Sequence, residues 1–92
     1  MARGNTREQQ LNGEGHIINK DGVKVSQVLY TIDIWQSDIR GYIIILNGEK
    51  LEVGNQVMTL RLSDGKTWAF RTLGDDLSGY RVAGAGEGIV DP

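Results

Sequence analysis

The chain contains no cysteine. Disulfides, thiolate zinc sites and cysteine nucleophiles are therefore excluded, and a small secreted domain, usually stapled by disulfides, is disfavoured. There is a single histidine, His16. No second imidazole can complete a common metal site with it, and a lone histidine beside glycines on a polar strand reads as a surface residue. None of Ser26, Ser37, Ser63 or Ser78 sits in a G-x-S-x-G elbow, so a hydrolase triad cannot be assembled. The acids Asp33, Asp38, Asp64, Asp75 and Asp76 lack the D-x-[DN]-x-[DN]-G spacing of a calcium loop. Charge of one sign is also missing. Ten basic and twelve acidic residues are scattered along the chain for a net charge of −2, which leaves no electrostatic footprint for nucleic acid or an anionic membrane. No apolar run approaches the roughly 18 residues of a membrane span, and the N-terminus lacks the order of a signal peptide. These absences lead to the expectation of a cytoplasmic, non-membrane protein that is not an enzyme and has no catalytic residue, cofactor or metal.

Glycine is abundant, at 13 residues, while there is one proline. That balance suits many turns and few helices. A chain of 92 residues forms one domain. At this size folding buries only about 60–65% of the unfolded surface, so the core is thin.

The organising stretch is Gly54–Thr72. Met58, Leu60 and Leu62 alternate with Thr59 and Arg61, and after Asp64-Gly65 Trp68 and Phe70 alternate with Thr67, Ala69 and Arg71. Period two indicates half-buried strands. A two-residue turn would put the leucines and the aromatics on opposite faces. A three-residue loop, Ser63-Asp64-Gly65, sets Leu60 opposite Trp68 and Met58 opposite Phe70, with Gly65 at positive φ.

The rest of the chain reads as strands added beside that hairpin. Residues 1–10 are polar and form a flexible arm, with a short helix over Thr6–Leu11 as an alternative. Leu11–Lys20 and Val23–Trp35 form a first hairpin around Asp21-Gly22, with Gly13 and Gly15 suiting an edge, a bulge or a coiled strand. Val23 and Val25 are odd-numbered, whereas Val28, Tyr30, Ile32 and Ile34 are even-numbered. A strand cannot change faces without an extra residue, which predicts a bulge or bend at Ser26-Gln27. Gln36–Arg40 is a loop, and Gly41–Leu46 is a central strand covered on both faces for part of its length. Asn47-Gly48 is a strong turn signal that predicts a short returning strand over Glu49–Val53. Leu73–Ser78 reads as a loop, Gly79–Ala83 as a last strand and residues 84–92 as a flexible tail. The glycine run Gly84–Gly88 lacks the spacing and the following helix of a phosphate-binding loop. The domain thus spans residues 11–83. Six or seven antiparallel strands and no substantial helix fit an all-β small antiparallel barrel or a two-sheet sandwich. The barrel is favoured, because it removes edges and the predicted bend supplies a corner.

Arg3-Gly-Asn-Thr-Arg7 has the R-x-x-x-R spacing of PilZ domains. That family also carries D-x-S-x-x-G on an early strand. Asp76-Leu77-Ser78-Gly79-Tyr80 has its glycine two places early and lies near the C-terminus, so the chain is not assigned to that family.

The functional expectation is a non-catalytic module that associates with itself as a dimer, or with another protein, through an apolar strand face. With Tyr42, Ile44 and Leu46 inside, Ile43 and Ile45 would lie outside. Trp35, off the parity of its strand's core face, would be a further contact. An alternative is a barrel that binds a small ligand at a mouth lined by Arg40, Arg71, Asp75 or Asp76. A single-stranded nucleic-acid binder is a third reading, weaker because the aromatics fit the core and lack interleaved lysines and arginines.

Overall fold

The computed structural model describes residues 7–36 and 38–92. Alternation gives six strands: β1 (Arg7–Ile18), β2 (Lys24–Trp35), β3 (Ile39–Gly48), β4 (Val57–Arg61), β5 (Thr67–Asp75) and β6 (Tyr80–Val90). All neighbours are antiparallel. They form one closed ring in the order β1-β2-β3-β6-β5-β4, closed by β4 against β1. The architecture is therefore an all-β barrel, and the described residues contain no helix. With no helix, none is long and apolar enough to cross a membrane.

The organising hairpin has the expected register. Leu60 pairs with Trp68 and Met58 with Phe70. Leu62 N–H donates to the Lys66 carbonyl, closing the three-residue loop, and Gly65 has φ of 92°. The first hairpin repeats this geometry around Gly22, with Asn19 N–H donating to the Val23 carbonyl. The two Asp-Gly turns thus share one chemistry. Leu60, Trp68 and Phe70 are fully buried, and the two aromatic rings stack with centroids 5.6 Å apart. Such a stack adds about 0.5–1.5 kcal/mol beyond area burial.

Gly13 and Gly15 lie on the inner face of β1, opposite Tyr30 and Val28. Their role is to leave room. A Cβ on Gly13 would stand 2.8 Å from the Tyr30 hydroxyl oxygen, and one on Gly15 would stand 2.3 Å from the Arg61 carbonyl oxygen. Tyr30 fills that space, and its hydroxyl accepts from Ser63 N–H at 3.1 Å. One buried side chain thereby ties the β4–β5 loop to β2.

Several expectations are corrected. The parity switch in β2 is real but falls at Val25, the residue left without a partner between Ile17↔Ser26 and Ile18↔Lys24. Ser26 takes the inward position, is buried, and donates its hydroxyl to the Glu49 carbonyl. A second bulge lies at Leu46 of β3, between Val28↔Ile45 and Gln27↔Asn47. Asn47-Gly48 does not turn the chain. β3 keeps pairing with β2 through Ser26↔Gly48, so there is no returning strand over Glu49–Val53. Gly48 has φ of 104°, and its backbone is so close to β2 that a Cβ would stand 2.4 Å from the Val25 carbonyl oxygen. Residues 49–56 instead form a loop that buries Leu51 in the core and touches β5 through one isolated bridge, Val53↔Thr72.

The ends differ as well. Arg7–Gln10 belong to β1, with Gln10 opposite Asp33. Residues 7–11 of the alternative helix are therefore strand, while Thr6, and Arg3 of the R-x-x-x-R pair, lie outside the described residues. β5 runs on through Asp75, and the following turn is closed by Asp76 N–H on the Gly79 carbonyl. Residues 84–90 are not a tail. They continue β6, with Gly84 opposite Phe70, Ile89 opposite Trp68 and Val90 opposite Thr67. Between the first two pairs, residues 85–88 arch out opposite Ala69 alone. Turn-like glycines hid this strand, because its pairing depends on the partner β5 and not on its own pattern.

Candidate functional site

The faces of β3 are the reverse of those expected. Ile43 is fully buried between Tyr30 and Tyr80, and Ile45 packs against the core. Tyr42 and Ile44 point outward, opposite Thr31 and Leu29, with the bulged Leu46 exposed beside them. The parity was set by Gly41, which lies inside opposite Ile32 and Val82. A Cβ on Gly41 would meet the Thr31 carbonyl oxygen at 2.6 Å. The interaction candidates Ile43 and Ile45 are therefore core residues.

The proposed ligand residues do not converge on a mouth. Arg40 and Arg71 flank Ala83 on the outer surface of β3-β6-β5. Arg40 Nε is 3.0 Å from Asp38 Oδ2, and Asp33 is its neighbour on β2. Asp75 is exposed at the end of β5. Asp76 serves the β5–β6 turn: its Oδ1 accepts from Ser78 N–H at 2.8 Å, from Gly79 N–H at 3.0 Å and from the Tyr42 hydroxyl. The Tyr42 bond, followed by the two backbone donors, holds the Asp76 carboxyl below its ordinary range. The same bond raises the Tyr42 phenol, with burial and the Asp76 charge adding to it. This is a turn lock, in which Oδ1 is engaged by three donors of the protein itself. His16 lies on the outer face of β1 between Gln27 and Arg61. Among the described residues no group of histidine and carboxylate side chains could hold a metal ion.

Two clefts lie where ladders of the closed ring are short or irregular. The larger follows from the short closing ladder. β1 and β4 share only His16↔Arg61, Ile17↔Leu60 and Ile18↔Thr59, and no residue of β1 pairs with Val57 or Met58. Beyond Ile18 the strands part, and a cleft of about 590 Å³ opens between the β1–β2 turn, the 49–56 loop and β4. Its floor is apolar: Ile17, Val25, Leu51 and Met58. Its rim carries Lys20, Glu49, Lys50 and Glu52, two charges of each sign, which form no ion pair with one another. The volume lies within the roughly 300–1,000 Å³ of small-molecule pockets. Sequence reasoning missed this site because it read residues 49–53 as a strand. The usable signal was the parity switch in β2, which falls at Val25 in the floor of this cleft.

The second cleft, about 390 Å³, lies at the other end of β2. Trp35 lines it, half-buried at its strand end with its backbone N–H donating to the Asp38 carbonyl at 2.8 Å. It faces the cleft together with Trp68 and the glycine-rich arch of β6. No protein-family model matches the chain, and no curated protein or solved structure is significantly similar to it.

Proposed function

We propose that the protein is a non-catalytic interaction module that takes an extended segment of a partner protein into the β1–β4 cleft. The observation that supports this most is the closing ladder that stops after Ile18↔Thr59. It leaves the β4 edge at Val57–Met58 without a strand on the β1 side, directly beside an apolar floor. An extended segment adding to such an edge gains main-chain hydrogen bonds, and alternate side chains supply specificity. The mixed rim favours a segment of low net charge that bears an apolar anchor. Selection from a displayed peptide library tests the reading. Selected peptides are expected to share an apolar residue. Their binding is expected to weaken at least tenfold in Val57→Lys, at an exposed position, and to be unchanged in Leu29→Lys on the outer face of β2.

A second reading, self-association, is favoured by one specific feature. Leu29 and Ile44 pair directly on the outer surface, with Leu46 and Tyr42 alongside. Adjoining apolar groups of this kind mark contact sites, and a two-fold dimer would cover the patch with its own copy. Sedimentation of wild type and Leu29→Lys decides it. A dimer converted to a folded monomer supports it, and a wild type that stays monomeric at its highest attainable concentration removes it.

A further inference from the structure

β1 is fully paired on one side only. β2 runs beside it from Arg7 to Ile18, whereas β4 meets it only at His16, Ile17 and Ile18. After Arg61 the chain leaves that edge and passes under the inner face of β1: a Cβ on Gly15 would meet the Arg61 carbonyl oxygen, and one on Gly13 would stand 3.2 Å from Ser63 Oγ. Residues 7–15 therefore have no strand on that side among the described residues. An open edge presents unpaired N–H and C=O groups and accepts another strand unless proline, lysine or a bulge blunts it. Residues 7–15 hold no proline or lysine, and their one bulge lies at the outer end, between Arg7 and Gln9.

The edge is self-complementary. A two-fold axis that makes two strands antiparallel neighbours stands perpendicular to the sheet, so residues that meet come from the same face. Leu11 faces the core side opposite Ile32, while Gln10, Asn12 and Glu14 face outward opposite Asp33, Thr31 and Leu29. An axis at Asn12 would bring the copy's Glu8 against His16, where β4 already sits. An axis at Gln10 would set Leu11 against Gln9. An axis at Leu11 sets leucine against leucine and Gln10 against Asn12. Opposite Glu14 it places the bulge, where Arg7 points outward with Nη1 3.4 Å from Asp33 Oδ1. That long contact uses one of five guanidinium N–H groups, and Glu14 accepts from Gln27 on Oε2, which leaves Oε1. We propose that the chain forms a two-fold dimer by pairing the β1 edges of two copies, antiparallel and centred on Leu11, with Arg7 of each copy against Glu14 of the other. This contact uses neither the β1–β4 cleft nor the outer patch of Leu29 and Ile44. It is one strand wide, so the dimer is a weak one.

Sedimentation equilibrium of the full chain in low-salt buffer tests the proposal, because salt screens exposed ion pairs. Wild type is expected to dimerise. Arg7→Glu and Glu14→Arg, both at exposed positions, are each expected to weaken the dimer about tenfold, because one reversal sets like charges together twice across the axis. The double variant Arg7→Glu/Glu14→Arg restores opposite charges at both places and is expected to associate more tightly than either single variant. Leu29→Lys is expected to keep wild-type association, which separates this contact from one through the outer face. A wild type that stays monomeric at its highest attainable concentration overturns the proposal. So do single variants with wild-type association, a double variant no tighter than the singles, or a dimer lost in Leu29→Lys.

Discussion

Reversing the faces of β3 makes Ile43 and Ile44 a sharp pair for testing the barrel. Ile43 is 0% exposed and sits between Tyr30 and Tyr80. Ile44, its neighbour in sequence, faces outward opposite Leu29. Truncating Ile43 to alanine removes buried methyl groups and leaves a cavity, at a cost of about 2–5 kcal/mol. Lysine at the same place loses the burial of an isoleucine, about 1.5–3 kcal/mol. It must also hold its amine uncharged. Depressing a buried lysine by roughly 3–5 pKa units costs about 4–7 kcal/mol at about 1.4 kcal/mol per unit. A domain of 92 residues has a total stability of about 5–14 kcal/mol. Ile43→Lys should therefore be unfolded or close to it, and Ile43→Ala folded but clearly weakened. Ile44→Lys should stay within about 1 kcal/mol of wild type, as surface changes do. Urea unfolding followed by tryptophan fluorescence reads this directly, because Trp68 is fully buried in the fold. The register of β3 is refuted by the opposite ranking, with Ile43→Ala neutral and Ile44→Ala costly.

Gly48→Ala should destabilise by at least about 2 kcal/mol in the same assay, because positive φ alone costs about 1–3 kcal/mol and its Cβ would also strike the Val25 carbonyl; a neutral outcome would contradict the close approach of Gly48 to β2. Tyr30→Phe keeps the ring but removes the acceptor of Ser63 N–H, and should cost on the order of 1 kcal/mol, with faster amide exchange at Ser63 as the local signature. The Asp76 lock gives a pH signature. A carboxyl held below its ordinary value of 3.8 stabilises the fold above that value and loses the contribution as pH falls through its folded value. Wild type should therefore exceed Asp76→Asn in stability near neutral pH, and the gap should close only below about pH 4; a gap that persists at the acid end would assign the effect to something other than the charge.

The parts of the fold that were legible in the sequence are those where local pattern and turn chemistry agree. Leu60 opposite Trp68 followed from alternation plus a loop length, and both are local. The parity switch near Val25 was visible because valines on unlike parity cannot share a face without an extra residue. Several errors share one origin. Gly48 and Gly84 were read as turn and tail residues and Gly41 only as the start of a strand, whereas the main role of all three is to let another backbone or ring approach. That role depends on partners far along the chain: Thr31, Val25 and Trp68. For the same reason Asn47-Gly48 looked like a turn, and β6 looked like a tail. The clefts were hidden more deeply, because each arises where a ladder ends or arches, and pairing length is a property of two strands together. Arg40, Arg71, Asp75 and Asp76 were chosen by side-chain type, but alternation with Phe70 and Thr72 directs Arg71 outward.

The unpaired β4 edge beside Ile18 is proposed to receive a partner segment, and amide chemical-shift mapping of a library-selected peptide on the ¹⁵N-labelled protein locates that contact. The largest changes are expected at Gln56–Thr59, Ile18–Lys20 and Leu51, with the amides of Val57 or Met58 protected from exchange on binding. Changes centred on Leu29, Ile44 and Leu46, or spread without protection at β4, would contradict it.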